Sequence, residues 1–167
     1  MDCGPIDREN TAVGKLAVGK AVPPFSLPST SGESWSLADA AGSKLVVYFY
    51  PKDMTSGCTV ESQQFRDLHG AFRRAGVEVV GISRDSLASH RKFREKERLP
   101  FALLADEDEK VCKLFDVIRE KSLYGRKYLG IERSTFLIDG KGVLRREWRK
   151  VKVQGHAEEV LEAAKSL

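Results

Sequence analysis

Leu45-Val46-Val47-Tyr48-Phe49-Tyr50-Pro51-Lys52-Asp53-Met54-Thr55-Ser56-Gly57-Cys58-Thr59-Val60-Glu61 is the stretch on which the fold turns. Its first six residues, Leu45 to Tyr50, are apolar on both alternating faces and rich in β-branched and aromatic side chains. That is the pattern of a central strand covered on two sides. Pro51 ends the strand. Beyond the polar loop a helix-period segment runs from about Thr59 to Ala75, in which Val60, Phe65, Leu68 and Phe72 can share one face, and Gly76 stops it. A strand that runs through a loop into a helix brings the loop to the strand's carboxyl end, where open α/β sheets build their sites.

Working outward, Val77 to Ser83 reads as a second buried strand, and Ser86 caps a charged helix reaching about Arg98, so a right-handed βαβ crossover is expected. Phe101 to Leu104 makes a third short strand, Asp108 to Phe115 a short helix holding Cys112, and the polar stretch Arg119 to Gly130 a loop. Residues 134–139, the turn Gly140 to Gly142, and residues 143–151 predict an antiparallel hairpin, and an amphipathic helix closes the chain. Upstream, Val22 to Pro28 and Glu33 to Leu37 flank a turn-rich cluster and predict an N-terminal β-hairpin at one edge. Residues 1–18 read as a tail, and residues 19–167 as one domain. This order fits an α/β, thioredoxin-like fold with a central mixed sheet flanked by helices.

The length of 167 residues suits one domain. Hydrophobic residues at 41% and charged residues at 31% exclude a disordered or low-complexity chain. No apolar run approaches the roughly 20 residues that cross a bilayer, and the N-terminus lacks an export pattern, so a cytoplasmic protein with no membrane partner is expected. The formal net charge of +4 is too diffuse to indicate nucleic acid, and the basic run Arg145, Arg146, Arg149, Lys150 and Lys152 around Trp148 reads as a solvated face. His69, His90 and His156 form no ligand spacing and are expected at the surface or as caps, so neither metal nor cofactor is implied.

The cysteines, Cys3, Cys58 and Cys112, stand too far apart in sequence for a disulfide framework or a zinc thiolate pair. Cys58 lies at the start of the first long helix. Unpaired amides and the positive end of the helix dipole favour a thiolate there, against the alternative of a buried structural cysteine. A dithiol reductase would need a CxxC pair, yet Thr55 lies three residues before Cys58 and Glu61 three after. What remains is one nucleophilic thiol beside a hydroxyl and free amides, suited to attack on an O–O bond with formation of a sulfenic acid. Arg133, just before a strand, can favour the thiolate and hold a peroxide oxygen, or can be a plain surface arginine. Glu61 can orient such an arginine, or simply reflect the preference for acids at a helix start.

The PxxxTxxC loop (Pro51, Thr55, Cys58), its extension to Glu61, and the run YGRKYLGIERSTFLID at residues 124–139 resemble peroxiredoxins of the bacterioferritin comigratory protein, or peroxiredoxin Q, subfamily. The resemblance extends from about Val22 to the C-terminus. It implies a peroxiredoxin fold and a thiol peroxidase reducing hydrogen peroxide and organic hydroperoxides, with thioredoxin or another thiol as reductant and a monomeric chain. It also implies that Cys58 is the peroxidatic cysteine, that Thr55 hydrogen-bonds the peroxide, that Pro51 shields the pocket, and that Arg133 is the active-site arginine.

Ser56 stands where many members have proline. Gln63 and Arg94 occupy the two positions where members carry a resolving cysteine. Cys112, Cys3, or an external thiol acting directly therefore remain as routes of resolution. The reading from a different class is a thioredoxin-fold redox-sensing module that passes its oxidation to a protein partner.

Overall fold

The computed structural model describes residues 16–167. In chain order the strands are β1 (Ser26–Pro28), β2 (Ser34–Ser36), β3 (Lys44–Phe49), β4 (Val77–Ser83), β5 (Ala102–Ala105), β6 (Ile118–Leu123), β7 (Arg126–Ile131), β8 (Ser134–Ile138) and β9 (Leu144–Trp148). The α-helices are α1 (Ser56–Asp67), α2 (His69–Arg74), α3 (Leu87–Glu97), α4 (Lys110–Leu114) and α5 (His156–Lys165). A central five-stranded sheet has the order β9-β8-β3-β4-β5. β3 runs parallel to β4 and β4 to β5, whereas β8 is antiparallel to both β3 and β9, so the sheet is mixed.

Because β3 is covered on both faces, its alternating side chains feed two cores. Leu45, Val47 and Phe49 join one core with Leu27 and Trp35 of the β1–β2 hairpin and with Val111, Cys112 and Phe115 in and after α4. Val46, Tyr48 and Tyr50 join the other with Phe65 of α1, Phe72 of α2, Phe93 of α3 and Val160 of α5. The second core carries the helix that holds Cys58.

Three sequence expectations need correction. The helix from Thr59 to Ala75 begins earlier, at Ser56, and breaks at Leu68 (φ −97°, ψ 2°), two residues before Gly70, whose freedom weakens helix propagation. Val60 does not share the buried face: the inward stripe runs through Cys58, Glu61, Ser62 and Phe65, and Val60 is exposed. The stretch from Arg119 to Gly130 is not a loop but the β6–β7 hairpin, turned at Tyr124 and Gly125, whose φ values of +52° and +78° match the positive φ pair of a tight hairpin turn. Of the expected tail, residues 1–15, with Cys3, lie outside the described residues; Leu16 already packs against the first core.

Gly81 in β4 leaves the space that its sheet neighbours Tyr48 and Leu103 fill. A Cβ there would lie 2.8 Å from Tyr48 Cζ and 2.9 Å from Leu103 Cδ2. Tyr48 Oη in turn meets Ser62 Oγ of α1 at 2.9 Å. Gly81→Ala is expected to push the Tyr48 ring and destabilise the domain by about 1–3 kcal/mol, the usual cost of overpacking, as read from urea denaturation.

Candidate active site

The backbone leaves β3 through Tyr50 and Pro51 and reaches Thr55, the N-cap of α1, in extended conformation. The Thr55 hydroxyl does not cap the helix; it donates to the Lys52 carbonyl at 2.8 Å. The first amides of α1 therefore keep the free valence that any helix start leaves. Cys58 stands in this first turn and is 1% exposed.

Arg133 comes from the junction of β7 and β8, next to buried Ile131 and Ser134. The Glu132 amide donates to the Val117 carbonyl at 2.8 Å, and the Arg133 carbonyl accepts from Val151 N at 3.0 Å, so the backbone on either side is tied down. The guanidinium forks: Nη1 donates to Glu61 Oε1 at 2.6 Å and Nη2 reaches Cys58 Sγ at 3.5 Å. A Cβ at Gly57 would sit 3.1 Å from Nη2, so glycine leaves room for the fork. Burial opposes the charge on Arg133, but the attraction of Glu61 and then Cys58 outweighs it and holds the guanidinium more firmly protonated than usual.

Glu61 lies one helical turn beyond Cys58 and is 1% exposed. Among the described residues its Oε2 finds no hydrogen-bond partner. Burial raises its carboxyl from the ordinary 4.5 to about 7, and the charge and hydrogen bond of Arg133 offset only part of that rise. Of its two sequence readings, the structure realises the orienting of an arginine.

Cys58, Arg133 and Glu61 thus meet directly, with Thr55 and Pro51 on the loop leading into the same helix turn. Cys112 is elsewhere. It belongs to the core on the opposite side of the sheet from Cys58, its amide is held by Asp106 Oδ2 at 2.6 Å, and burial, then the Asp106 charge, push its thiol far above the usual range. The two family positions for a second thiol are engaged otherwise: Gln63 Nε2 donates to Glu97 Oε1 at 2.8 Å, and Arg94 Nε to the Phe101 carbonyl at 3.1 Å.

The expectation of surface or capping histidines fails for His90 and His156, which are buried. His156 Nε2 pairs with Thr135 Oγ1 at 2.7 Å, and burial lowers its pKa to about 4. His90 sits between the Asp53 carboxyl and the Leu104 carbonyl. The cluster of Asp53, Tyr50, Ser89 and His90 behind the loop escaped sequence reasoning, since no local spacing pairs residues on separate elements. The one signal was a tyrosine and an aspartate placed at a buried strand end. The basic run is largely paired: Arg145 with Asp139 at 3.2 Å, Arg146 with Glu159 at 3.5 Å and over the Trp148 ring at 4.7 Å, and Arg149 with Glu147 at 3.0 Å.

An open, mainly apolar cleft of about 420 Å³ flanks the outer side of the site helix, lined by Ser56, Gly57, Val60, Gln64, Val153 and Gln154. Among the described residues no helix is long and apolar enough to cross a membrane.

The AhpC/TSA family model matches residues 18–147. A putative peroxiredoxin bcp of Coxiella burnetii is 50% identical over 146 residues, covering 87% of this chain and 97% of that protein. The peroxiredoxin Bcp of Bacillus subtilis is 47% identical over 152 residues, covering 91% of this chain and 97% of its own. Among solved structures, a Xanthomonas campestris bacterioferritin comigratory protein, described for its alkyl peroxide reduction activity, superposes with a TM-score of 0.81 at 48% identity, over 85% of this chain and 90% of that one. Relatives this similar across nearly their whole length, together with a family match over most of this chain, make it a member of the AhpC/TSA family, among the peroxiredoxins of the Bcp or peroxiredoxin Q kind.

Proposed function

We propose that this chain is a thiol peroxidase that reduces hydrogen peroxide and organic hydroperoxides at Cys58 and is recycled by thioredoxin or another thiol, acting as a monomer in the cytoplasm. The observation that carries this reading is the fork of Arg133, one arm on the Cys58 sulfur at 3.5 Å and the other on a buried carboxylate at 2.6 Å. A fixed positive charge beside a thiol at a helix start is placed to attract the oxygens of a peroxide. The alkyl peroxide reduction described for the Xanthomonas campestris relative supports it.

In the reaction the Cys58 thiolate gives its electron pair to the terminal oxygen of ROOH. The S–O bond forms as the O–O bond breaks, and the alkoxide leaves and takes a proton to become ROH. Arg133 and the free amides of the first turn of α1 meet the charge that develops on the oxygens. Cys58 is left as a sulfenic acid. A reductant thiol then displaces its hydroxyl as water, and a second thiol breaks the mixed disulfide and restores Cys58. With Cys112 in the core beyond the sheet, direct attack by an external thiol is the reading favoured here.

Cys58→Ser is expected to abolish peroxide consumption with a thiol donor, because a serine hydroxyl does not supply an anionic nucleophile at neutral pH. Arg133→Met should slow Cys58 oxidation by about a hundredfold, the usual loss for one donor to developing charge. Thr55→Val, which removes the hydroxyl oxygen that accepts the hydroperoxide proton and orients the substrate, should slow it by about a hundredfold as a misplaced reactant does. Stopped-flow kinetics at several peroxide concentrations measure this, and an unchanged second-order rate constant removes the residue from the mechanism. Wild type should consume many equivalents; oxidation that stops after one would mark a redox-sensing module instead.

Cys112→Ser should leave turnover unchanged, with sulfinic or sulfonic Cys58 accumulating in excess peroxide when the donor is withheld. Peptide mapping that finds a Cys58 to Cys112 or Cys58 to Cys3 disulfide in high yield would give that partner the resolving role.

Glu61 makes the fold pH-dependent. The folded protein keeps the Glu61 proton up to about pH 7, whereas the unfolded chain loses it near 4.5. Its contribution to stability is therefore full below about 4.5 and is lost as pH rises through about 7. Glu61→Gln cannot titrate and still accepts from Arg133. The difference in unfolding free energy between wild type and Glu61→Gln should move against wild type across that window; a difference constant from pH 4 to 8 would contradict the assignment.

A further inference from the structure

A buried polar cluster stands behind the loop of the proposed site and takes no part in the chemistry above. Asp53, 4% exposed, receives three side-chain groups: Tyr50 Oη donates to Oδ1 at 2.6 Å, Ser89 Oγ to Oδ2 at 2.8 Å, and His90 Nδ1 lies 2.8 Å from Oδ2. His90 Nε2 faces the Leu104 carbonyl at 2.9 Å and can only donate there. Nδ1 and the Asp53 carboxyl therefore hold one proton between them. Asp53, Asp85 and His90 bring ligand-type atoms within 4.8 Å of one another, but hydrogen bonds already occupy those atoms and the imidazole has no free lone pair to offer an ion.

What the cluster grips is one peptide group. The Asp53 amide donates to Asp85 Oδ2 at 2.8 Å, and Asp85 Oδ2 also accepts from Ser83 Oγ at 2.6 Å, at the end of β4. The carbonyl of the same peptide, that of Lys52, accepts the Thr55 hydroxyl at 2.8 Å. One face of the Lys52–Asp53 peptide is thus fixed to the sheet, and the other sets where the Thr55 proton points. With that proton committed, the Thr55 oxygen has lone pairs left to accept from the O–H of a hydroperoxide. Met54, between the anchor and the N-cap, has φ +67°, a region that non-glycine side chains enter only under constraint from their surroundings.

We propose that Asp53, Asp85 and His90 are positioning residues that set the direction of the Thr55 hydroxyl through the Lys52–Asp53 peptide and so align the hydroperoxide for attack by Cys58. The inference rests on the reading of Cys58 as the peroxidatic thiol. Its particular content is that the cluster acts through Thr55 and not through stability of the fold at large. Coupling to Thr55 is what separates the two, because groups that act through a shared partner are non-additive, whereas independent effects add.

The test is a double-mutant cycle on the rate constant of Cys58 oxidation by hydrogen peroxide, measured where circular dichroism shows each variant folded. Asp53→Ala should lower the rate by about ten- to a hundredfold, the scale of a small misplacement of a reacting group. In the Thr55→Val background the same change should cost less than about threefold, since the group it positions is already gone. Asp53→Asn still accepts from Tyr50 and can donate to a neutral His90, so it should recover much of the loss. If Asp53→Ala does not fold, Tyr50→Phe removes the hydrogen bond to Asp53 and the longer contact with His90 Nδ1 and should show the same pattern at about three- to tenfold. Equal losses in both backgrounds, no loss in the Thr55-containing protein, or an unchanged rate for Thr55→Val alone would each overturn the proposal. Failure of the underlying reading is separate and visible first: wild type would then consume peroxide no faster than Cys58→Ser.

Discussion

A guanidinium does not shed its proton, so a fold that half-buries one must bring acceptors to it. Arg133 imposes that condition here, and much of the structure answers it. The β6–β7 hairpin and β8 deliver the side chain, the inward stripe of α1 delivers Glu61 and Cys58 one turn apart, and Gly57 leaves the space in which the fork lies. The two acceptors are unequal, with the carboxylate at 2.6 Å and the sulfur at 3.5 Å. The shorter bond fixes the arginine, and the longer brings its second arm to the sulfur. The carboxylate bears the cost of this arrangement, for its second oxygen has no partner among the described residues and burial raises its pKa to about 7.

The sheet itself acts as a partition. Because β3 is buried on both faces, Cys58 and Cys112 are assigned to separate cores by the alternation of one strand. To bridge, their α-carbons would have to come within about 7 Å, which requires one thiol to leave its core and pass around the sheet edge. Disulfide exchange within the chain is a conformational problem here more than a chemical one.

What could be read from sequence follows from how local each signal is. The strand Leu45 to Tyr50 announces itself because both its faces are apolar, and Thr55 and Cys58 because a hydroxyl and a thiol share one short loop into a helix. Arg133 was legible as a candidate from its place before a strand and from family likeness. The β6–β7 hairpin was not, since a two-stranded ribbon exposed along most of its length has no buried face to impose alternation. Val60 failed by phase: the helical period was right, but the stripe that matters starts from Cys58. Asp53 with His90, and Thr135 with His156, are separated by 37 and 21 residues, so their burial depends on tertiary contacts that no local pattern encodes.

The site must also reconcile enclosure with access. Cys58 is 1% exposed, so on the proposed cycle a small peroxide reaches it more readily than the thiol of a protein would. On the proposed cycle, a sulfenic acid at Cys58 has to meet a thiol that comes from outside the core. The first turn of α1 has few ties of its own, for it has no side-chain cap, and its residues Ser56 and Gly57 line an open cleft. It is bracketed by firm ground: the Asp53 cluster holds the chain before it, and Glu61 on Arg133 with Ser62 on Tyr48 holds the helix after it. Opening would therefore cost the contacts of about one turn and not those of the core. The contacts that hold Arg133 and the Lys52–Asp53 peptide lie outside that turn and do not depend on it.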